Sequence, residues 1–145
     1  MGYNIEIESD HFQVLLGDRE RGPLVDTSSL WNEDQNVVAV PGAPELVAIG
    51  TARFGGKTRI QVEVASSEPE PQAGWSDMGN FVLDVRSGEL LIWAPESPDL
   101  QRVPVVTIDP GKYLGRAFSR GTDAVADEMA TAGPDEYRIV LWRVA

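Results

Sequence analysis

The chain has 145 residues, no cysteine, one histidine and a formal net charge of −11, from 23 acidic and 12 basic residues. The absence of cysteine excludes a disulfide framework, a zinc–thiolate site and a thiol nucleophile, and the negative charge opposes binding to phosphate backbones or anionic lipid. We therefore expect a single domain, residues 1–145, that is cytoplasmic and binds neither nucleic acid nor membrane.

The first half of the chain alternates between apolar and polar residues with a period of two. Residues 3–9 and 57–65 show this alternation most strictly, as half-buried strands do. Their apolar positions are Tyr3, Ile5 and Ile7, followed by Ile60, Val62 and Val64. The stretches FQVLLG, NVVAVPG and LVAIGTARF also predict strands. Gly55 and Gly56 can take the positive φ angles of a tight turn, so we expect a hairpin there.

Further strands and turns are predicted beyond residue 66. The acidic segment SSEPEPQAG, residues 66–74, has two prolines and no period, which is typical of an exposed loop. Ser87 and Gly88 separate the predicted strands NFVLDVR and ELLIWAP. Pro110 and Gly111 separate VPVVTI from KYLGRAF and match the central positions of a type II turn. We expect a hairpin at each of these two turns.

The last predicted elements are a short helix and a strand that is apolar on both faces. TDAVADEMATAGP predicts a helix of about two turns, with Thr122 or Asp123 as its N-cap and Gly133 near its end. The closing GPDEYRIVLW carries Tyr137, Ile139 and Leu141 on one side and Arg138, Val140 and Trp142 on the other. Such a strand suits the centre of a sandwich whose outer side is covered, in part by the helix.

These elements together predict an all-β fold. About eight to ten short strands favour an antiparallel β-sandwich or a partly closed barrel, with one short helix before the last strand. Tyr137, Ile139 and Leu141 are expected in the core, whereas the other side of this strand faces cover, solvent or a partner.

Motifs in residues 74–142 resemble a known family. They are a Ser-Gly turn in GWSDMGNFVLDVRSGELLIWAP, a Pro-Gly-x-Tyr turn leading into the Arg-bearing strand of VPVVTIDPGKYLGRAF, and the closing DEYRIVLW. In this order they resemble the small bacterial proteins similar to competence protein J. Because competence protein J is a protein inhibitor of a DNA nuclease, the resemblance implies an all-β binding protein with a nuclease or toxin partner. It implies no inhibitory residues.

The residue types give little support to enzymatic chemistry. Any Ser-His-Asp triad would have to use His11, whose neighbours Ser9 and Asp10 would point to alternating faces of a strand. No EF-hand, P-loop or G-x-G-x-x-G pattern occurs. Glu68 and Glu70 could attract calcium, but an acidic, proline-rich loop is usually solvated. We therefore predict a non-enzymatic protein with no cofactor and no metal.

The candidate binding residues are aromatic and acidic. Trp31 and Trp75 lie in polar, loop-like sequence beside acids, which is the composition of a hot spot for a basic surface. The alternative for each tryptophan is to fold back and plug the end of the sandwich. The predicted partner-binding site consists of Trp75, Asp77, Glu68, Glu70 and Trp31.

The predicted function is binding of a basic protein partner, such as a nuclease or toxin. The carboxylates would imitate nucleic-acid phosphates in the partner's cationic cleft. Three alternatives remain: a small-ligand or carbohydrate-binding sandwich that stacks its ligand on Trp31 and Trp75, a hydrolase that depends on His11 or a carboxylate, and a structural or assembly subunit. The acids can also serve only to keep the protein soluble.

Overall fold

A computed structural model of the chain shows a sandwich of two five-stranded β-sheets. The structure describes residues 2–21, 36–40, 43–96 and 103–144. The all-β prediction is confirmed, and these residues form no closed barrel. The strands are β1 (Gly2–Ser9), β2 (Gln13–Asp18), β3 (Val37–Val40), β4 (Ala43–Gly50), β5 (Gly56–Ala65), β6 (Ser76–Val85), β7 (Glu89–Trp93), β8 (Val105–Thr107), β9 (Gly111–Arg120) and β10 (Glu136–Arg143). Short 3-10 helices span Arg19–Arg21 and Thr122–Ala124.

The strand order places β10 in the middle of one sheet. Sheet A has the order β1-β5-β10-β9-β6 and sheet B the order β3-β4-β2-β7-β8. The pairings of the described strands are antiparallel, except that β10 runs parallel to β5. The last strand is therefore inserted between β5 and β9, which confirms the central position expected from its two apolar faces.

The apolar core lies between the two sheets and confirms the period-two alternation. Tyr137, Ile139 and Leu141 are 2%, 1% and 0% exposed, so the core assignment of these residues is correct. A second apolar cluster lies on the side of sheet B that faces away from the core. Along β2, Leu15 belongs to this cluster, whereas the residues on either side of it belong to the core. It comprises Leu15, Ala43, Leu46, Ala48, Leu91 and Trp93.

The three predicted hairpins are wrong, because each turn joins one sheet to the other. Gly55 and Gly56 lead from β4 to β5, Ser87 and Gly88 from β6 to β7, and Pro110 and Gly111 from β8 to β9. The turn chemistry itself was correctly predicted, since Gly56 has φ 95° and Gly88 has φ 76°. A glycine turn reverses or redirects the chain, but it does not determine whether the next strand pairs with the previous one or crosses to the other layer.

The helix predicted before β10 is also wrong in length. Only Thr122–Ala124 form a 3-10 turn, and Thr122 makes no side-chain cap. The following residues dock on the β4–β5 connection instead. The Phe54 N–H donates to the carbonyl of Glu128 (2.6 Å), and the Lys57 N–H donates to that of Thr131 (2.8 Å). These tertiary hydrogen bonds outweigh the local helix propensity of the segment.

The cover over β10 comes from the connection between β5 and β6, not from a helix. These two strands run in the same direction with β10 and β9 between them, so residues 66–75 cross the outer face of both. Arg138 on β10 donates to Gln72 of the connection (2.7 Å). The outward-facing Val140 and Phe118 are 0% and 3% exposed. The segment is an exposed loop, as predicted, and it also shields the sheet.

A fully buried ion pair ties the two halves of the chain together. Arg53 Nε donates to Asp135 Oδ1 at 2.6 Å, and the two side chains are 1% and 0% exposed. Arg53 also donates to the carbonyls of Gly55, Lys57 and Ala130. The Tyr137 hydroxyl donates to the second oxygen of Asp135 (2.8 Å) and accepts the N–H of Ala52 (2.7 Å). Burial raises the pKa of Tyr137 above its usual range, so this hydroxyl stays protonated and donates.

We expect Arg53→Met to lower the free energy of unfolding by about 3–5 kcal/mol, because it leaves the Asp135 carboxylate buried without its partner. Urea unfolding followed by tryptophan fluorescence measures this change. Arg143→Met is the control, since Arg143 lies in a solvent-exposed ion pair with Asp109 and its loss should change the unfolding midpoint little. Equal midpoints for the two variants would contradict the prediction.

Candidate functional site

The outer face of sheet A carries basic residues that pair with acids. Side chains at alternate positions of β5, β9 and β10 point away from the core, and six of the chain's 12 basic residues are among them. They are Lys57, Arg59, Lys112, Arg116, Arg120 and Arg138. Arg138 contacts Glu63 at 2.5 Å, and Glu136 contacts both Arg120 (2.8 Å) and Arg59 (3.3 Å). Much of the charge on this face is therefore locally compensated.

Two of the predicted site carboxylates share one arginine on this face. Arg116 contacts Glu68 at 2.6 Å and Asp77 at 3.7 Å. Asp77 also accepts the N–H of Gly79 (2.8 Å), which holds its side chain in place. Both carboxylates remain more than half exposed, at 60% and 57%. Glu70 lies exposed on the same crossing connection.

The predicted tryptophans differ in what the structure shows of them. Trp75 is partly buried, and the guanidinium carbon of Arg120 lies 4.4 Å from its ring centroid, a cation–π contact. One face of the ring is thus occupied, which weakens its use as a stacking platform for sugars. Trp31 lies outside the described residues. The structure brings Trp75, Asp77 and Glu68 together around Arg116 and Arg120.

Acids outnumber bases at one end of the sandwich, where β1, β4 and β9 end and β6 and β10 begin. We call this the acidic end. Its carboxylates include Asp10, Asp77, Glu96, Asp123, Asp127 and Glu128. Within the described ranges no arginine or lysine pairs with Asp123, Asp127 or Glu128. Sequence reasoning missed these three residues because it assigned their segment to a helix.

A cleft of about 590 Å³ opens at the acidic end between the two sheets. One wall carries Ser76, Ser119 and Tyr137, which are aligned in register across β6, β9 and β10. The opposite wall includes Gln13 and Thr51 from sheet B and the connection that follows it. The cleft is therefore lined by hydroxyl and amide groups, a pattern that no single strand of the sequence displays.

A strained turn forms one side of the cleft. His11 and Phe12 have φ angles of 52° and 58°, in the left-handed region that residues other than glycine rarely adopt. The Phe12 N–H donates to the carbonyl of Phe54 (2.9 Å), and the Thr51 N–H donates to that of Phe12 (2.8 Å). The Phe54 ring packs against both turn side chains. Tertiary contacts thus hold the turn in its unfavourable conformation.

This turn also corrects the expectation for Asp10 and His11. They belong to a turn and not to a strand, so Asp10 Oδ1 reaches His11 Nδ1 at 2.8 Å. The Ser9 hydroxyl instead bonds the buried Thr58 hydroxyl at 2.7 Å. A Ser-His-Asp triad through these neighbours is therefore not assembled. Across the described part of the chain, no group of three or more His, Asp or Glu side chains is arranged to hold a metal ion.

The fold has known structural neighbours, although no family model and no curated protein matches the sequence. ComJ from Bacillus subtilis, an inhibitor of the DNA degrading activity of NucA, superposes with a TM-score of 0.71 at 14% identity, over 99% of this chain and 98% of its own. The product of crocagin biosynthetic gene J gives 0.63 at 16% identity, over 100% and 98%. The competence protein J-like fold is confirmed, and it extends to the half of the chain without recognisable motifs. None of the helices in the described ranges is long and apolar enough to cross a membrane.

The hydrogen bond that the His11 ring donates to Asp10, followed by the charges of Asp10 and Glu96, raises the pKa of His11 above its usual 6.5. We expect a titration of the His11 ring protons by NMR to show this raised pKa, and Asp10→Asn to lower it. Glu96→Gln should lower it less, because the Glu96 carboxylate lies 3.8 Å from the ring and makes no hydrogen bond to it. An unchanged pKa in Asp10→Asn would show that the contact does not form in solution.

Proposed function

We propose that the chain is a non-enzymatic, inhibitor-type module that binds a basic protein partner, such as a nuclease or toxin, in the cytoplasm. The observation that carries this proposal is the fold, shared over 99% of the chain with ComJ, which inhibits the DNA degrading activity of NucA. Because folds host many functions, the likeness alone does not choose the partner. The charge distribution of this chain supplies the second argument.

The partner is proposed to be basic because of where the negative charge lies. The net charge is −11, and half of the 12 basic residues lie on the outer face of sheet A. Excess acid is therefore concentrated elsewhere, and Asp123, Asp127 and Glu128 lie together in the exposed segment that precedes β10. A negative region of this kind attracts a cationic surface over a distance and speeds its association at low salt.

The proposed contact surface joins the acidic end to the crossing connection. Asp77 in β6 lies at the boundary between the two regions, and Trp75 and Glu70 belong to the connection that precedes it. Trp75 would contribute apolar contact area, and its ring is held in place by Arg120. Glu68 and Asp77 would exchange part of their contact with Arg116 for cations of the partner. Trp31, outside the described residues, completes the proposed site.

We expect the immobilised chain to capture a basic protein from a lysate of its source organism at low salt and to release it at high salt. Adding the chain back should then inhibit the enzymatic activity of the captured protein, with DNA cleavage assayed first. The association rate should fall steeply as ionic strength rises.

The matched variants for this capture change the same charge at the two ends of the sandwich. Glu70→Lys with Asp77→Lys should lose the partner, whereas Glu20→Lys with Asp109→Lys, both exposed and remote from the proposed surface, should retain it. An association rate that ignores ionic strength, or equal capture by both double variants, would refute the proposed surface.

A further inference from the structure

We propose that a cavity at the other end of the sandwich, opposite the acidic end, binds a small amphipathic carboxylate, which is an apolar body that carries one carboxylate group. Arg143 would hold the carboxylate, and the apolar residues around Tyr113 would contact the body. We call this site the Arg143 cavity. None of the proposed partner-binding residues lines it, so the inference does not depend on the proposed function.

The ends of four strands place the lining residues together. β5, β8 and β10 end at the Arg143 cavity, and β9 begins there. Arg143 and Tyr113 are register partners across β10 and β9. Val64 of β5 pairs with Leu141, the preceding inward-facing residue of β10. Because side chains alternate along a strand, Arg143 continues the inward row of Leu141 by one position, and a cation thus stands where the core meets solvent.

The lining of the cavity is apolar at its base and polar at its rim. The volume of about 560 Å³ is ordinary for a small-ligand site. Ile108 and Tyr113 are buried, with the partly buried Val64 and Ala65 beside them. The exposed lining residues are Ser66, Thr107, Asp109 and Arg143. A ligand with an apolar body therefore gains contact area that a purely ionic ligand would leave unused.

Arg143 has donors available for a ligand. A guanidinium carries five N–H donors, and among the described residues Arg143 makes one hydrogen bond, to the carbonyl of Pro110 (3.1 Å). Its contact with the Asp109 carboxylate is 4.0 Å long, and the two side chains are 55% and 85% exposed. Since an exposed pair of this kind contributes little, a ligand carboxylate can displace Asp109 and accept the parallel N–H bonds that a guanidinium offers.

Charge selects an anion as the head group of the ligand. Of the described residues that line the cavity, Arg143 is the only basic one, and Asp109 is the only acidic one. The Asp109 side chain lies almost entirely in solvent, whereas Arg143 extends over the mouth of the cavity from an inward-facing position. A carboxylate that enters with its apolar body therefore meets the guanidinium first.

The walls of the cavity are held in place by the protein itself. The Tyr113 hydroxyl donates to the carbonyl of Asp109 (2.5 Å). On the other side, the Tyr3 hydroxyl donates to the carbonyl of Thr107 (3.1 Å), which ties β1 to β8. A preformed cavity loses little conformational entropy when a ligand enters it.

The test titrates the ¹⁵N-labelled chain with hexanoate and three matched probes. Hexanamide has a similar body without the charge, hexylammonium has the opposite charge, and acetate has the charge without the body. We expect hexanoate to cause saturable NMR shifts concentrated at residues 64–66 and 107–109 and at Tyr113 and Arg143. The other three probes should cause no such shifts over the same range of concentration.

Three variants decide whether Arg143 is the ligand-binding group. Arg143→Gln should weaken hexanoate binding by about tenfold, which corresponds to the loss of a charge-assisted hydrogen bond. Asp109→Asn should strengthen it by about two- to fivefold, because the competing carboxylate is removed. Arg59→Gln is the matched control and should bind hexanoate normally. Arg59 is 56% exposed and pairs with Glu136 on the outer face of sheet A.

Each part of the inference can fail separately. Absence of localised shifts with hexanoate, or equal shifts with hexanamide or hexylammonium, would overturn the selection of a carboxylate. Equal affinity for acetate would show that the apolar lining contributes nothing and would also overturn the inference. Equal weakening by Arg59→Gln, or no gain in Asp109→Asn, would contradict the role of Arg143.

Discussion

The buried pair of Arg53 and Asp135 organises the acidic end of the sandwich. A guanidinium removed from water must find an acceptor for its donors, and here Asp135 and three backbone carbonyls provide them. One of these carbonyls belongs to Ala130, so the segment before β10 has to fold back onto the β4–β5 connection. The other carboxylate oxygen of Asp135 positions Tyr137 at the wall of the cleft. The pair therefore determines both the path of the acidic segment and the shape of the cleft beside it.

The distribution of charge follows from the topology of sheet A. Since β5 and β6 run in the same direction, their connection has to cross the sheet, and the arginines beneath it bind its polar residues. Half of the basic residues lie on that face, and four of them, Arg59, Arg116, Arg120 and Arg138, pair with carboxylates there. At the acidic end, by contrast, Asp123, Asp127 and Glu128 are exposed and pair with no arginine or lysine of the described residues. Glu68 belongs to the compensated face, whereas Asp77 stands at the boundary between the two regions.

The strands and the core could be predicted from the sequence because both follow from the local alternation of apolar and polar residues. This alternation did not predict which sheet each strand belongs to. The turn sequences at Gly56 and Gly88 are the same whether the next strand pairs with the previous one or crosses to the other sheet. The predicted helix failed because its backbone groups found partners in a distant segment. Of the candidate site, Trp75, Asp77 and Glu68 do lie together, but their contacts with Arg120 and Arg116 depend on a crossing that no local pattern reveals. The cleft escaped prediction for the same reason.

The insertion of β10 between β5 and β9 has a consequence for how the protein folds. Of the described strands, β10 is the last to leave the ribosome, and until it does, sheet A exists only as the pairs β1–β5 and β6–β9 with unpaired inner edges. Open strand edges of this kind are templates for association with other chains. The parallel pairing of Glu136–Trp142 with Arg59–Ala65 also closes a long loop, which slows folding. The nascent chain is thus most prone to aggregation just before the strand that completes sheet A is made.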